Sequence, residues 1–479
     1  MACPPSFEPY VLTELDHTLP PLHVSGFLTF RLKEPIDAIP VLEAAVARLV
    51  HLLPFLGGNV ASSTRIPGKK NVLEVQPPSE SFWSQHPMLV IKRHDLSIDP
   101  GFSSSVVSPD DISNETFLPI GYEFTGVDPV WRFQANVMLD GVIVSFSLNH
   151  QALDGAGAMC VIDAFAKCCQ NPNSDAASLP TSPETQSKFR KAISGLANAS
   201  QLTGAPDHSS PTEVASHSVD IDELNQNAHN AVSRKLLLNA EKIKLLRKSC
   251  AEQAQPSDQG APVSGNTIVT AILWICLIRA QFGPDAAGPS PPDLSSVAMV
   301  SNFRSKIRPN LPMTYLGNTV GLAWSSFSVE QVLSSISHLN YDSRAAAYMD
   351  PQYMKIVAAA ANRLQDAVRS ISERSVRDLV SEKNAADDWA AQPTIADLHV
   401  SSLRHFNLYA LDFGSLLGRT SDFDMPESRF AGLAWILPSR GNPQFAPWEV
   451  RLTLQPAAME RIQKDPLLRW LSSDVMSKL

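Results

Sequence analysis

The stretch VWRFQANVMLDGVIVSFSLNHQALDGAGAM, Val130 to Met159, decides the architecture because its period changes partway along. Two β-rich runs flank Asp140-Gly141. Such a pair predicts a two-residue hairpin whose turn positions both take positive φ. The returning strand, Val142 to Leu148, then delivers His150 at its exit. Beyond Gly157 the sequence AMCVIDAFAKCC takes a helical period, with Met159, Ile162, Phe165 and Cys169 on one face. Strand, histidine turn and helix follow in order.

A neutral imidazole titrates near pH ~6.5, so His150 can accept a proton at physiological pH. The rival reading is a polar residue hydrogen-bonded at the end of a buried strand. A single H-x-x-x-D-G match is too short to choose between them. Asp154 lies four positions on, but Gln-Ala-Leu before it and Gly-Ala-Gly after it read as a turn, so no His150–Asp154 contact is assumed. Other chemistries find no support. There is no G-x-x-x-x-G-K-[ST], no G-x-G-x-x-G after a strand, no H-E-x-x-H and no G-x-S-x-G elbow. His150, His399 and His405 have no metal-ligand spacing with cysteines, so no metal is expected. No protein nucleophile stands beside the base, which points to a substrate hydroxyl or amine.

Composition limits the partners. At 479 residues the chain exceeds one ordinary core, so two or three domains are expected. Hydrophobic residues make up 44% and charged residues 18%, the balance of a soluble globular protein. A net charge of -9 argues against nucleic acid or an anionic membrane, since both select a basic face. Cys3, Cys160, Cys168, Cys169, Cys250 and Cys276 form no C-x-x-C pair, so reduced thiols in a cytoplasmic protein are expected. The opening MACPPSFEPY lacks the basic and apolar regions of a signal peptide. The apolar run IVTAILWICLI, Ile268 to Ile278, is too short to span a bilayer and fits a buried helix.

Strand alternation also marks Val24 to Leu32, and a helical period runs through Ile39, Leu42, Ala45, Leu49 and Leu52. From Gln170 to about Ser218 the chain turns rich in Ser, Pro, Asn and Thr, which reads as a surface crossover between two halves. Polar insertions follow at 253–265, 284–292 and 382–392. The second half mixes predicted helices (240–251, 267–281, 329–339, 354–372, 457–471) with predicted strands (297–300, 318–324, 407–413, 433–438, 448–454). The fold class is therefore α/β or α+β.

NHQALDG, Asn149 to Gly155, resembles the H-x-x-x-D-G motif of CoA-dependent acyltransferases of the BAHD type, including fungal relatives such as trichothecene O-acetyltransferases. Further segments match in family order. LTELD (Leu12 to Asp16) resembles the opening motif. SNFRSKIRPNLPMTYLGN (Ser301 to Asn318) is similar to the N-x-R segment. SSLRHFNLYALDFG (Ser401 to Gly414) is similar to the T-S-W and D-F-G region, and WEVRLTLQPAAMERIQKD resembles the closing strand and helix.

The resemblance implies two chloramphenicol-acetyltransferase-like domains with a channel at their interface: residues 1–185, a crossover over 186–220, and residues 221–479. It implies direct transfer of an acyl group, acetyl above all, from acyl-CoA to a hydroxyl of a small secondary metabolite, with His150 as general base. Asp154 would turn away to pair with Arg304, and Gly155 would give the turn a close backbone approach. Ser401 would donate to the oxyanion, with Ser402 beside it as the neighbour to test. Arg247, Ser264, Thr267, Asp412 and Gly414 would lie on the CoA side, although Arg247 and Lys248 read equally well as a solvated helix face. A cytoplasmic monomer is expected.

Two departures stand out. The family's D-F-G-W-G becomes DFGSLLG, placing Ser415 and Leu416 where it has tryptophan and glycine, and Leu403 replaces the T-S-W tryptophan. Rival readings are an N-acyltransferase, a carrier-protein-dependent condensation enzyme and a non-catalytic binding member. Condensation enzymes usually carry a second histidine where this chain has Asn149.

Overall fold

The computed structural model describes residues 3–99, 114–120, 128–171, 181–199, 217–218, 231–252, 263–283, 292–307, 310–335, 351–391, 394–426, 428 and 430–472. Trp131–Val137 and Gly141–Asn149 pair antiparallel as the hairpin at the centre of a five-stranded sheet. Its strand order is Asp422–Asp424, His23–Arg31, Gly141–Asn149, Trp131–Val137, Leu89–Arg93. Every residue of both hairpin strands is buried, because each face is covered. On one face Phe133, Ala135, Val144 and Phe146 join the core formed with helices Ala38–Leu52 and Gly155–Gln170. On the other, Asn136 donates to Ser145 Oγ at 2.9 Å and the Ser25 and Ser147 hydroxyls meet at 2.7 Å, so the polar residues satisfy one another.

The loop of this hairpin differs from the prediction. Met138 N donates to the Gly141 carbonyl at 2.9 Å, so Leu139 and Asp140 form the loop and neither Asp140 nor Gly141 takes a positive φ. The cause is tertiary: the Asp140 carboxylate accepts from the backbone N–H groups of Ile98 at 2.7 Å and Asp99 at 2.8 Å.

A six-stranded sheet carries the second core, in the order Val232–Leu238, Trp448–Leu454, Leu433–Ile436, Leu398–Ser402, Leu294–Asn302, Val320–Ser328. Helix Gly265–Phe282 is apolar on all sides and lies buried in this core, where Trp274 Nε1 donates to Ser295 Oγ at 2.9 Å. It is long and apolar enough to cross a membrane by length and composition, but its environment here is the protein core.

The two units exchange material. Asp422–Asp424, from the second half of the chain, pairs with Phe27–Thr29 at the edge of the first sheet, and Phe423 enters the first core. Conversely, the described part of the predicted surface crossover is no bare loop. Helix Pro183–Ser194 and the turn after it bury Ile193 and Leu196 in the second core.

Three further predictions change. Asn407 to Phe413 is not a strand: a single 3-10 turn, Leu408–Ala410, sends Leu408 and Phe413 into the first core, and the spacing of Tyr409, Leu411 and Phe413 mimics alternation. Ala457 to Leu471 is two helices, Pro456–Lys464 and Pro466–Ser472. Pro466 cannot continue the first, and the Asp465 carboxylate caps the second through Leu467 N at 2.9 Å. The helix predicted over 329–339 is formed over Val329–Ser334 and ends at Ser335, and the rest of the predicted span lies outside the described residues.

Candidate active site

His150 is the first residue beyond strand Gly141–Asn149, and its backbone N–H donates to the Leu22 carbonyl at 2.9 Å. The side chain is half-buried, and its enclosed atom is Nδ1, which has no hydrogen-bond partner among the described residues, so the open edge of the ring carries Nε2. Burial pushes the imidazole below the ordinary histidine range. The Asp154 charge and nearby backbone and Asn318 dipoles act in the opposite sense without reversing it. The ring is therefore neutral at physiological pH, the form that accepts a proton.

Asp154 does not serve that ring. Fully buried, it is the N-cap of helix Gly155–Gln170, its Oδ1 accepting from Gly157 N at 2.9 Å. Arg304 binds the same carboxylate with two nitrogens, at 2.7 Å to Oδ2 and 2.9 Å to Oδ1, and Thr319 N adds a bond to Oδ2 at 3.1 Å. A second set of bonds ties the guanidinium to the carbonyls of Tyr315 and Gly317. The pair thus bolts the histidine turn to the N-x-R segment of the second unit.

Gly155 does not play the expected part. A Cβ there would touch only Leu403 Cδ2 at 3.6 Å and Phe406 Cε2 at 3.8 Å, which is ordinary contact. The close approach occurs at Gly157, where a Cβ would lie 2.0 Å from the Leu316 carbonyl oxygen. The helix is pressed against the chain that carries Tyr315 and Gly317, and that pressure falls on Gly157 in its first turn.

Strand Leu398–Ser402 approaches from the other unit. Leu398 and Val400 enter the second core, and Ser402 on the same face donates to Asn266 Oδ1 at 3.0 Å. Ser401 therefore faces the opposite way, as Leu403 does, and Leu403 packs against the first core. In register beside Ser401 is Trp435, which packs against that same core.

Of the predicted CoA-side residues, three converge. Ser264 caps helix Gly265–Phe282, accepting from Thr267 N at 3.1 Å, while the Ser264 and Thr267 hydroxyls meet at 2.7 Å. Arg247 Nε donates to the Val263 carbonyl at 3.0 Å, one residue ahead of that cap. Lys248 is exposed beside Glu252, as a solvated helix face requires. Asp412 and Gly414 lie elsewhere, against the C-terminal end of helix Gly155–Gln170. The Asp412 carbonyl accepts from Gln170 Nε2 at 2.6 Å, and Gly414 takes φ +93 with Cys169 O 3.0 Å from where a Cβ would sit. With about 1.5 Å of rise per residue, this turn is some ~20 Å from the Asp154 end. Phe413 between them packs against Phe30 and Phe165, while Ser415 and Leu416 are exposed, which is why the departures there leave the turn intact.

Two residues without an assigned role complete the turn. Asn318 Nδ2 donates to the carbonyls of His150 at 2.8 Å and Gln151 at 2.9 Å, and Asp16 Oδ1 accepts from Asn318 N at 2.8 Å. Both belong to segments whose pattern was visible, LTELD and YLGN. Only the fold shows that they touch.

Two α/β units that share a strand and meet at a histidine turn braced by an Asp–Arg pair define the architecture of a two-domain acyltransferase. The description "Transferase family" fits residues 103–468 and "Trichothecene 3-O-acetyltransferase-like N-terminal domain" fits residues 27–169, and the chain belongs to the Transferase family. It is 31% identical to the communesin N16 acyltransferase of Penicillium expansum over 97% of this chain and 98% of that one. It is 28% identical to the fumigaclavine B O-acetyltransferase of Aspergillus fumigatus over 97% of each. Among solved structures, TRI101 of F. sporotrichioides, complexed with coenzyme A and T-2, matches with a TM-score of 0.73 over 97% of this chain and 99% of that one, at 16% identity.

Proposed function

We propose that this chain transfers an acyl group, acetyl first among candidates, from acyl-CoA to a hydroxyl of a small secondary metabolite. The observation that carries the reading is His150: a neutral, half-buried imidazole with Nε2 open, on a turn whose carboxylate is already committed to Arg304. Nε2 takes the proton from the acceptor hydroxyl as its oxygen attacks the thioester carbonyl. The C–O bond forms and the C–S bond breaks. The proton then passes from Nε2 to the departing thiolate, giving ester and free CoA without an acyl-enzyme. Ser401, on the strand face turned toward the first unit, donates to the oxyanion.

CoA phosphates are served by Arg247 and by the positive end of helix Gly265–Phe282. The Ser264 and Thr267 hydroxyls are engaged in the cap, so they shape this end rather than offer free donors. Asp412 and Gly414 act on the CoA side only through the packing of their turn. Six free cysteines support a reducing, cytoplasmic setting, and we assign the working unit as a monomer.

The test is free-thiol release from acetyl-CoA across a panel of alcohols and amines, with mass spectrometry of the products. Acceptor-dependent thiol is expected, falling by about 10²- to 10⁴-fold in His150→Ala. Absence of His150-dependent thiol with every acceptor defeats the reading. A nitrogen acceptor is the second reading, favoured by the similarity to an acyltransferase named for N16. Acylation of the amine arm alone would select it.

A further inference from the structure

LTELD and YLGN take no part in the acyl transfer itself, yet they meet behind the catalytic turn. Asp16 and Asn318 are both buried. Asp16 Oδ1 accepts from Asn318 N at 2.8 Å and from Asn318 Nδ2 at 3.1 Å, and Oδ2 accepts from Thr13 N and Thr13 Oγ1, each at 2.7 Å. Four donors converge on a group that can receive them all only as a carboxylate. Burial raises its pKa to about 6, which still leaves it ionised at neutral pH.

The carboxylate fixes which way the Asn318 amide points. Nδ2 faces Asp16 and the carbonyls of His150 and Gln151, whereas Oδ1 is enclosed without a partner among the described residues. Rotating the amide by half a turn would aim Oδ1 at three acceptors, so only one orientation is stable.

This matters because the imidazole is only weakly held through its ring, by the nearby His150 and Leu153 backbone and the Asn318 side chain. Among the described residues Nδ1 has no well-formed hydrogen bond, and the one carboxylate nearby in sequence is bound to Arg304. In a histidine oriented through its ring, a carboxylate or carbonyl on the second nitrogen does that work. Here the backbone is the firmly held part: its N–H is held by the Leu22 carbonyl and its C=O by Asn318.

We propose that Asn318, itself oriented by Asp16, is the positioning residue that fixes His150 for proton transfer. The proposal rests on the reading of His150 as the base. Misplacement of a catalytic group by about 1 Å costs on the order of 10²-fold in rate.

The test compares Asn318→Ala, Asp16→Asn and His150→Ala with wild type. Each is assayed with acetyl-CoA and the alcohol that wild type acylates best. A parallel histidine ¹³Cε1 NMR titration, with the His150 signal assigned from its loss in His150→Ala, needs no acceptor. In Asn318→Ala, kcat is expected to fall about 10- to 100-fold while KM for acetyl-CoA stays within about twofold. The His150 signal should titrate closer to the ordinary histidine value of about 6.5 as the ring gains freedom to reach water. Asp16→Asn should show the same split to a smaller degree.

If His150→Ala is inactive while a folded Asn318→Ala keeps full kcat and an unchanged titration, the positioning role is overturned and the base reading stands. If His150→Ala stays active, the base reading itself has failed and takes the proposal with it. Should Asn318→Ala not fold, Asp16→Asn decides on the same criteria. If neither variant folds, the pair is scaffold and the proposal is wrong.

Discussion

The two ends of helix Gly155–Gln170 are fastened to the second half of the chain by opposite physics. At its N-terminus the Asp154 carboxylate is gripped by Arg304, Thr319 and Gly157, all buried. At its C-terminus the Asp412–Gly418 turn is held by Phe413, packed between Phe30 and Phe165, and by two glycines at positive φ, Gly414 and Gly418. The charged end fails hard, because removing one partner strands the other in a low-dielectric interior. The apolar end fails softly, since it loses only contact and backbone fit. His150, the proposed base, lies beside the stiff end, where small displacements matter most.

The strongest way to break this contrast is Asp154→Ala, which leaves the Arg304 guanidinium buried without its anion. A loss of about 3–5 kcal/mol is expected, read from urea midpoints, together with loss of activity. His150→Ala, by contrast, should melt like wild type, and equal stabilities for the two variants would remove the division of labour between them. Gly414→Ala probes the other end. Its positive φ and the nearby Cys169 carbonyl predict a loss of about 1–3 kcal/mol, with kcat in the folded fraction unchanged and any effect on activity confined to KM for acetyl-CoA.

Acid should sharpen the picture without touching either end. His17 and His399 are buried and held down to about 4, desolvation being the main cause. Their Nε2 atoms accept from Leu73 N and Ala396 N, so both rings are neutral in the fold. A folded-state value below the unfolded one means that the unfolded chain binds more protons. Their contribution is then complete above pH about 6.5 and is lost as pH falls toward 4. Asp16, raised to about 6, works in the opposite sense and offsets part of that loss. Thermal melts between pH 7 and 4 measure the balance, and a net fall in Tm is expected.

The smallest effect separates two glycines two positions apart. Gly155→Ala meets no backbone and should change stability by less than about 0.5 kcal/mol, whereas Gly157→Ala drives a methyl into the Leu316 carbonyl. Equal destabilisation of the two by calorimetry would show that the start of the helix does not press on Leu316.

That pair also shows how far the sequence could be read. The alternation before His150 and the helical period after Gly157 correctly place a histidine at a strand exit and a helix after it. The glycine that the packing requires, however, is Gly157, and only the chain around Leu316 reveals it. Arg304 was nameable as the partner of Asp154 through family resemblance, and the geometry bears this out. Asp16 and Asn318 were visible as patterned residues, but they are 302 positions apart and no local period links them.

By itself, then, the sequence determined the hairpin, the histidine turn, the amphipathic helix behind it and the wholly apolar helix of the second core, because hydrophobic period is a property of neighbouring residues. The tertiary structure alone decided the hairpin's loop register, through the Asp140 carboxylate. It also decided the passage of Asp422–Asp424 into the first sheet, the 3-10 turn at Leu408–Ala410 and the meeting of Asp16 with the His150 carbonyl through Asn318. Each of these depends on a hydrogen bond or burial supplied by a distant segment, and a partner that exists only after folding leaves no signal in local sequence.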